Sequence, residues 1–362
     1  MPHTPISSIH VSTATSWRGG ENQIWLLAKG LLARGQRVLV VAPPGAPLLE
    51  RCQSSGIPAS PMRIRGDLDF FGAWRLARLV KREKAGVLHA HDGHAVLPAK
   101  VAASLCGKRW PKLVVHRRTV FPLKGRWKYS GRVDRIVAIS AAVRDRLQAD
   151  GVDAASIRVV FSGLDFPAAD VIADGASFRL QHGISKDAFV VMHAAALTSE
   201  KRQCDILRAM AQVADAQLLI AGKGALGPAL QTQARELGIE ARVHFLGFVD
   251  DLRPVLAASD AALFASEAEG LCTALIEAQA AGLPAVITRA GGMVEIVEHG
   301  RSGLTVEIGD IPAMAEALCA LAREPALRKT MGEAAASRAR QVFSAGQMVD
   351  GVLSVYSELM PA

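Results

Sequence analysis

Short apolar runs alternate with longer stretches of helical period along almost the whole chain. ISSIHV (6–11), a helical pattern over about 22–34 and RVLVVA (37–42) together predict a βαβ unit. The rhythm continues through GVLHAH (86–91), a helix near 94–106, KLVVH (112–116), RIVAIS (135–140), a helix ending near 149 and IRVVFSG (157–163). Strands made almost wholly of Val, Ile and Leu, separated by helices, predict a parallel sheet covered on both faces. Between 163 and 187 the alternation breaks at Pro167 and a run of Asp and Gly, as expected for a connection between domains. It restarts with AFVVMHAAA (188–196), a helix at 201–213, AQLLIAG (216–222), a helix at about 226–238, RVHFLG (242–247), DAALFAS (260–266), a helix at about 271–281 and LPAVIT (283–288). Beyond 310 the pattern is helical, with Pro325 dividing two helices and LTVE (304–307) the last clear strand.

The fold class predicted is therefore α/β, with two doubly wound Rossmann-like domains. The first is expected over 1–165, the connection and the start of the second over 166–187, the second over 188–343, and a final helix over 344–362 that returns to the first domain. A chain of 362 residues exceeds what one hydrophobic core supports, in agreement with two domains. Ligands in such sheets bind beyond the carboxyl ends of the strands, so the active site is expected in a cleft between the domains.

Charge is unevenly placed. Residues 1–160 carry 26 Lys and Arg against 10 Asp and Glu, and the remainder carries 16 against 24, a basic half followed by an acidic one. A basic surface suits nucleic acid, anionic lipid or a phosphorylated substrate, and charge alone does not choose. The five cysteines, Cys52, Cys106, Cys204, Cys272 and Cys319, form no CxxC pair, so a zinc ribbon or disulfide framework is not expected and a reducing compartment is. No window approaches 18 consecutive apolar residues and the N-terminus has no signal-like pattern, so a cytoplasmic protein, peripheral at the inner face of a membrane, is expected.

The strongest chemical signal is SEAEGLCTALIEAQAAGLPAV (266–286). It sets Glu269 in the loop after a strand and Glu277 inside the following helix, with Gly270 allowing close backbone approach and helix-start amides able to hold an anion. Two carboxylates so spaced could grip separate hydroxyls of one extended ligand, or could be ordinary exposed helix glutamates. The segment resembles the Glu-x7-Glu signature of glycosyltransferase family 4, retaining enzymes of the two-domain GT-B fold. The resemblance implies that Glu269 faces the donor sugar, that Glu277 holds the nucleotide ribose, and that Gly270, Leu271 and Cys272 contact the diphosphate or sugar.

WRGGENQIWLLAKGLLARGQRVLVVAPPG resembles the family's opening, which implies that Gly19 and Gly20 lie against the donor and Glu21 against the acceptor. AAALTSEKRQCDILRAMA (194–211) is similar to the stretch whose basic pair binds the donor pyrophosphate. Lys201 matches the lysine, the arginine position falls on Ala196, and Arg202 replaces the following glycine, which raises the question whether Arg202 compensates. IAGKGALGPALQTQARELGIEARVHFLGFVDDL (220–252) is similar to the part that cups the base, implying contacts from Gly247, Phe248 and Val249. Gly222, Gly224 and Gly227 also spell GxGxxG, a dinucleotide fingerprint, but no acidic residue follows at the usual distance.

His91, His94 and His116 fall at predicted strand ends and could be metal ligands. The resemblance implies instead that no metal or other cofactor is used and that His116 lies close to the reacting sugar, with His91 toward the acceptor. RWPKLVVHRRTVFPLKGRWKYSGR (109–132) interleaves Lys and Arg with Trp110, Phe121, Trp127 and Tyr129, either a solvated basic face or a surface for anionic lipid headgroups or a phosphorylated, lipid-linked acceptor; without a recognised binding module, nucleic acid is not an expected partner. Taken together, the expected activity is retaining, metal-independent transfer of a hexose from a UDP- or GDP-sugar to a glycan or lipid-linked acceptor in envelope polysaccharide or lipopolysaccharide biosynthesis. A nucleotide-sugar epimerase on the same fold and a non-catalytic sugar-binding scaffold are the alternatives.

Overall fold

The computed structural model describes residues 5–107, 111–166 and 174–360. The chain forms two compact units, residues 1–165 with 343–362 and residues 166–342.

In the first unit seven strands pair in parallel: β1 (Ser7–Val11), β2 (Arg37–Ala42), β3 (Ala59–Pro61), β4 (Val87–Ala90), β5 (Lys112–Arg117), β6 (Arg135–Ala138) and β7 (Ile157–Val159). Their order is β3-β2-β1-β4-β5-β6-β7, so the winding reverses between β1 and β4. Helices α1 (Gly19–Ala33), α2 (Pro47–Ser54), α3 (Phe70–Glu83), α4 (Gly93–Leu105) and α5 (Ala141–Ala149) connect them. The sequence pattern left 43–85 unassigned, because β3 is three residues long and α2 and α3 interrupt the strand rhythm. Helix α1 begins earlier than its apolar period suggests, since the Glu21 carboxylate accepts from the Arg18 amide at 2.9 Å and closes the first turn.

The second unit holds β8 (Val190–Ala194), β9 (Gln217–Ala221), β10 (Val243–Gly247), β11 (Ala261–Phe264), β12 (Ala285–Thr288) and β13 (Gly303–Val306), again parallel, in the order β10-β9-β8-β11-β12-β13. Its helices are α6 (Gly175–Gln181), α7 (Gln203–Met210), α8 (Gly227–Glu236), α9 (Arg253–Ala257), α10 (Thr273–Ala280), α11 (Met293–Ile296), α12 (Ile311–Arg323) and α13 (Pro325–Val342). The stretch expected as a connection thus contains α6, which packs on α9, while Pro167 lies outside the described residues. Each unit has its own core of Val, Ile, Leu and Ala.

The last helix, α14 (Ala345–Leu359), belongs to the first unit. Its apolar face, Met348, Val349, Val352, Val355, Tyr356 and Leu359, joins the core formed by α1 and the sheet. Gly30 marks the crossing: a Cβ there would run into Val349. Leu164 and Ala345 exchange main-chain bonds with Phe343 and Leu164, both 2.9 Å, so the chain leaves and re-enters this unit at adjacent points. No helix among the described residues is long and apolar enough to cross a membrane.

Candidate active site

In the second unit the winding reverses between β8 and β11, and the loops that follow these strands carry Lys201 and Glu269. The two side chains form an ion pair, 18% and 12% exposed, and Ser266 Oγ donates to the same carboxylate oxygen at 3.3 Å. The loop bearing Glu269 is pinned from both sides. The Glu267 amide donates to the Glu200 carbonyl at 2.9 Å, the Gly292 amide to the Glu269 carbonyl at 3.0 Å, and the Thr288 hydroxyl to the Ser266 carbonyl at 2.6 Å. Gly291, at φ +49, permits that approach, since a Cβ there would overlap the Glu269 carbonyl.

Gly270, Leu271 and Cys272 follow, all buried, and Cys272 is the N-cap of α10 without a side-chain cap bond. The first amides of α10 are therefore left for another acceptor. Glu277 stands one to two turns along α10, half-buried, its carboxyl pushed up to about 7 by desolvation and secondarily by the charge of Asp251. Asp251 follows the segment Gly247, Phe248 and Val249, in which Gly247 has φ +71 and Phe248 is exposed.

Arg202 does not stand free beside Lys201. Its guanidinium is bound to Asp205 at 2.6 Å and Glu267 at 3.2 Å, so it ties the start of α7 to the loop after β11. The GxGxxG glycines have a packing reason: Cβ atoms at Gly222 and Gly224 would collide with the backbones of Ala195 and Leu197, where the loops after β8 and β9 lie side by side. His193, which pattern reading passed over, is buried at the end of β8. It donates from Nδ1 to the Leu263 carbonyl at 2.9 Å, and its Nε2 accepts from Gln203 at 3.3 Å. Desolvation lowers its pKa to about 4.

The switch point of the first unit holds four buried imidazoles on one face of the sheet. His10 is in register with His89 and His89 with Val114, so His91 and His116, each two residues further on, share that face. Arg118 Nη2 lies 3.2 Å from His91 Nδ1, His91 Nε2 is 2.9 Å from His10 Nδ1, and His10 Nε2 is 3.1 Å from Ser8 Oγ. A guanidinium only donates, so neutral His91 carries its proton on Nε2, His10 does the same, and Ser8 passes its own to the Arg37 carbonyl at 3.4 Å. A second chain runs from the Tyr356 hydroxyl, 2.7 Å from His89 Nδ1, to His116 Nδ1, 3.3 Å from His89 Nε2. The Tyr356 hydroxyl has no other partner among the described residues, so its proton points to His89. His89 then donates to His116, and His116 presents an Nε2–H donor. Burial holds all four rings well below their ordinary pKa, His10 down to about 3, and hence neutral.

Ligand atoms of His10, His89 and His91 lie within 4.8 Å of one another, the spacing a metal would use. The same nitrogens make the hydrogen bonds just given. His94, expected among these histidines, is instead exposed on the first turn of α4, because Asp92 caps that helix and turns position 94 outward. Gly19, Gly20 and Glu21 open α1, and Gly20 lies beside the Arg118 side chain. Arg118 carries a pKa lowered to about 10 by desolvation, against the opposing pull of Glu21 and Asp92. In the basic segment, Phe121 and Trp127 are exposed, but Tyr129 is buried with its hydroxyl beside Gly93 at the start of α4, so it is not a surface aromatic. Trp110 lies outside the described residues.

Two doubly wound units, each with its own parallel sheet, define a GT-B type of fold, and the comparisons agree. Glycosyltransferase Family 4 matches residues 17–166 and Glycosyl transferases group 1 matches 176–338. The chain belongs to this family of glycosyltransferases. It is 27% identical over 301 residues to the N-acetyl-alpha-D-glucosaminyl L-malate synthase of Bacillus anthracis, covering 80% of this chain and 78% of that one. It is 32% identical over 169 residues to the lipopolysaccharide core biosynthesis glycosyltransferase LpsE of Rhizobium meliloti strain 1021, where it spans about half of each protein, 47% and 50%. The fold is that of Anabaena Alr3699/HepE, solved in complex with UDP, with a TM-score of 0.86 at 22% identity over 98% of this chain and 100% of that one. A further structure of that protein contains UDP-glucose.

Proposed function

We propose that this chain is a retaining, metal-independent hexosyltransferase that moves a sugar from a UDP- or GDP-sugar to a glycan or lipid-linked acceptor in envelope polysaccharide or lipopolysaccharide assembly. The observation that carries the reading is the pinned Glu269, paired with Lys201 at the β8/β11 switch point, with half-buried Glu277 along the helix that follows. The relative named for lipopolysaccharide core biosynthesis supports the substrate class, and the UDP-bound Anabaena protein makes UDP the first nucleotide to try.

In this reading the bond from the sugar anomeric carbon to the diphosphate breaks while the acceptor oxygen bonds to the same face of that carbon. The acceptor proton leaves with the departing phosphate oxygen. Lys201 and the free amides at the start of α10 neutralise the leaving diphosphate, Glu277 takes the ribose hydroxyls, and Glu269 faces the sugar. Gly247, Phe248 and Val249 take the base. His116 meets the sugar as a neutral donor, Gly19 and Gly20 approach the donor, and Glu21 and His91 serve the acceptor side. Arg202 acts on the phosphate only by holding the Lys201 loop.

A thermal-shift panel of UDP, GDP and ADP and their sugars tests the reading. One nucleotide should stabilise the protein by about 2.7 kcal/mol at a hundredfold excess over Kd, and nucleotide release from its sugar should continue in EDTA. No stabilisation by any member of the panel would reject it.

A further inference from the structure

The outer face of α3 and the loop before it carry an apolar surface that the fold of this unit does not use. Leu68, Phe70, Phe71 and Trp74 are 77%, 64%, 66% and 45% exposed. Gly72, Ala73, Leu76, Ala77, Leu79 and Val80 meet the core, so these aromatic residues stand on the opposite side of the same helix. Four large apolar side chains within seven residues form a contiguous patch of a kind that soluble monomers rarely leave in water. The Lys128–Asp67 ion pair ties the turn at 126–129, which carries Trp127, 56% exposed, to the residue before Leu68.

Charge surrounds it on one side only. Between 61 and 84 there are seven Lys and Arg against three Asp and Glu. Those acids are already engaged: Asp67 with Lys128, Asp69 as the cap of α3 at 2.7 Å from the Gly72 amide, and Glu83 with Arg82 at 2.9 Å. The guanidinium of Arg75 lies over Phe71 and that of Arg78 over Trp74, which holds cations among the rings. Between α3 and the sheet edge at β3 is a pocket of about 420 Å³ lined by Ser60, Met62, Arg75, Arg78, Leu79 and Arg82. Arg75 Nε is buried there without a hydrogen-bond partner among the described residues, a donor awaiting an acceptor.

From these observations we propose that the outer face of α3 docks the first unit on an anionic lipid bilayer, its aromatic residues entering the headgroup region and its arginine pocket taking a lipid phosphate. Aromatic rings interleaved with arginines suit an interface that is apolar below and negatively charged above. A soluble polyanion would use the arginines but not Leu68 or Phe70. The surface adjoins the 126–129 turn through the Lys128–Asp67 ion pair and supplies exposed aromatic side chains that buried Tyr129 does not. It shares with the proposed function only the expectation of a membrane-attached acceptor, and its vesicle measurement uses neither donor nor acceptor.

Sedimentation with vesicles of phosphatidylglycerol and phosphatidylcholine, compared with phosphatidylcholine alone, reads the docking directly. The wild type should bind the anionic vesicles at least about tenfold more tightly than the neutral ones, and more weakly as salt rises. Phe71→Ser/Trp74→Ser should lower binding about tenfold, and Arg78→Glu/Arg82→Glu should lower it further and flatten its salt dependence. The control Arg235→Glu/Lys329→Glu makes the same charge change on exposed helices of the second unit and should leave binding within about twofold. All substituted side chains are exposed, and unchanged melting temperatures check that the variants are folded. The proposal is overturned if the wild type ignores lipid charge or if the control loses as much as the arginine variant. It is equally overturned if the aromatic variant binds like wild type, which would make the face a polyanion site. Transfer to a water-soluble acceptor by the α3 variants separates the two readings: its persistence leaves the proposed function intact whatever the vesicles show.

Discussion

Replacing Glu277 by Gln should change how the stability of the protein depends on pH. Desolvation raises the Glu277 carboxyl from 4.5 to about 7, so between these values the folded chain keeps a proton that the unfolded chain has released. The sign follows from that difference: the stabilisation is fully present below 4.5 and is lost as pH rises through 7. At about 1.36 kcal/mol per unit, titration between pH 5.5 and 8 removes about 2 kcal/mol, because part of the effect has already gone at the lower pH. Glu277→Gln keeps the shape and cannot titrate. Urea unfolding of both proteins at intervals across this range should show the wild type losing about 2 kcal/mol relative to the variant, with equal m values. Parallel curves would refute the claim that this carboxyl is held in a dry position. The proposed ribose contact adds a second readout, since an ionised carboxylate accepts two hydroxyls better than a neutral acid. UDP affinity should tighten from pH 6 to 8 in the wild type and stay level in the variant.

Other expectations follow from the same geometry. Lys201→Met strands the Glu269 carboxylate and should cost roughly 2–4 kcal/mol, of which Glu269→Gln in the same chain should restore at least about 1 kcal/mol, as a double-mutant cycle in chemical unfolding would show. Tyr356→Phe removes the donor to His89 Nδ1, should cost about 1–3 kcal/mol, and should release the tautomer of His116; unchanged ¹⁵N shifts of the His116 ring nitrogens would contradict the chain of bonds. Gly222→Ala, at φ +149 and against the Ala195 carbonyl, should cost at least about 3 kcal/mol, whereas Gly45→Ala, in open space at φ +72, should cost about 1 kcal/mol by the same measurement.

Parallel strands buried on both faces announce themselves as apolar runs, and β1, β2, β8, β9 and β12 lie within a residue or two of their expected places. The short β3 does not, since three residues are too few to form an apolar run. Glu269, Glu277 and Lys201 stand out as candidates in the sequence because each lies in a short motif whose spacing is set by one loop and one helix.

The amino-acid order alone determined the two βα arrays, their parallel sheets and the loops that bear the acidic and basic candidates, since these depend on periodicity and on neighbours within a few residues. Only tertiary packing decided which groups meet. His10, His89, His91 and His116 come from three strands and are aligned by register, and Tyr356 reaches them from a helix 267 residues beyond His89. Arg202 is drawn away to Asp205 and Glu267 by the fold of two loops. Such pairings depend on distances between segments remote in the chain, and no local pattern of side chains encodes those distances.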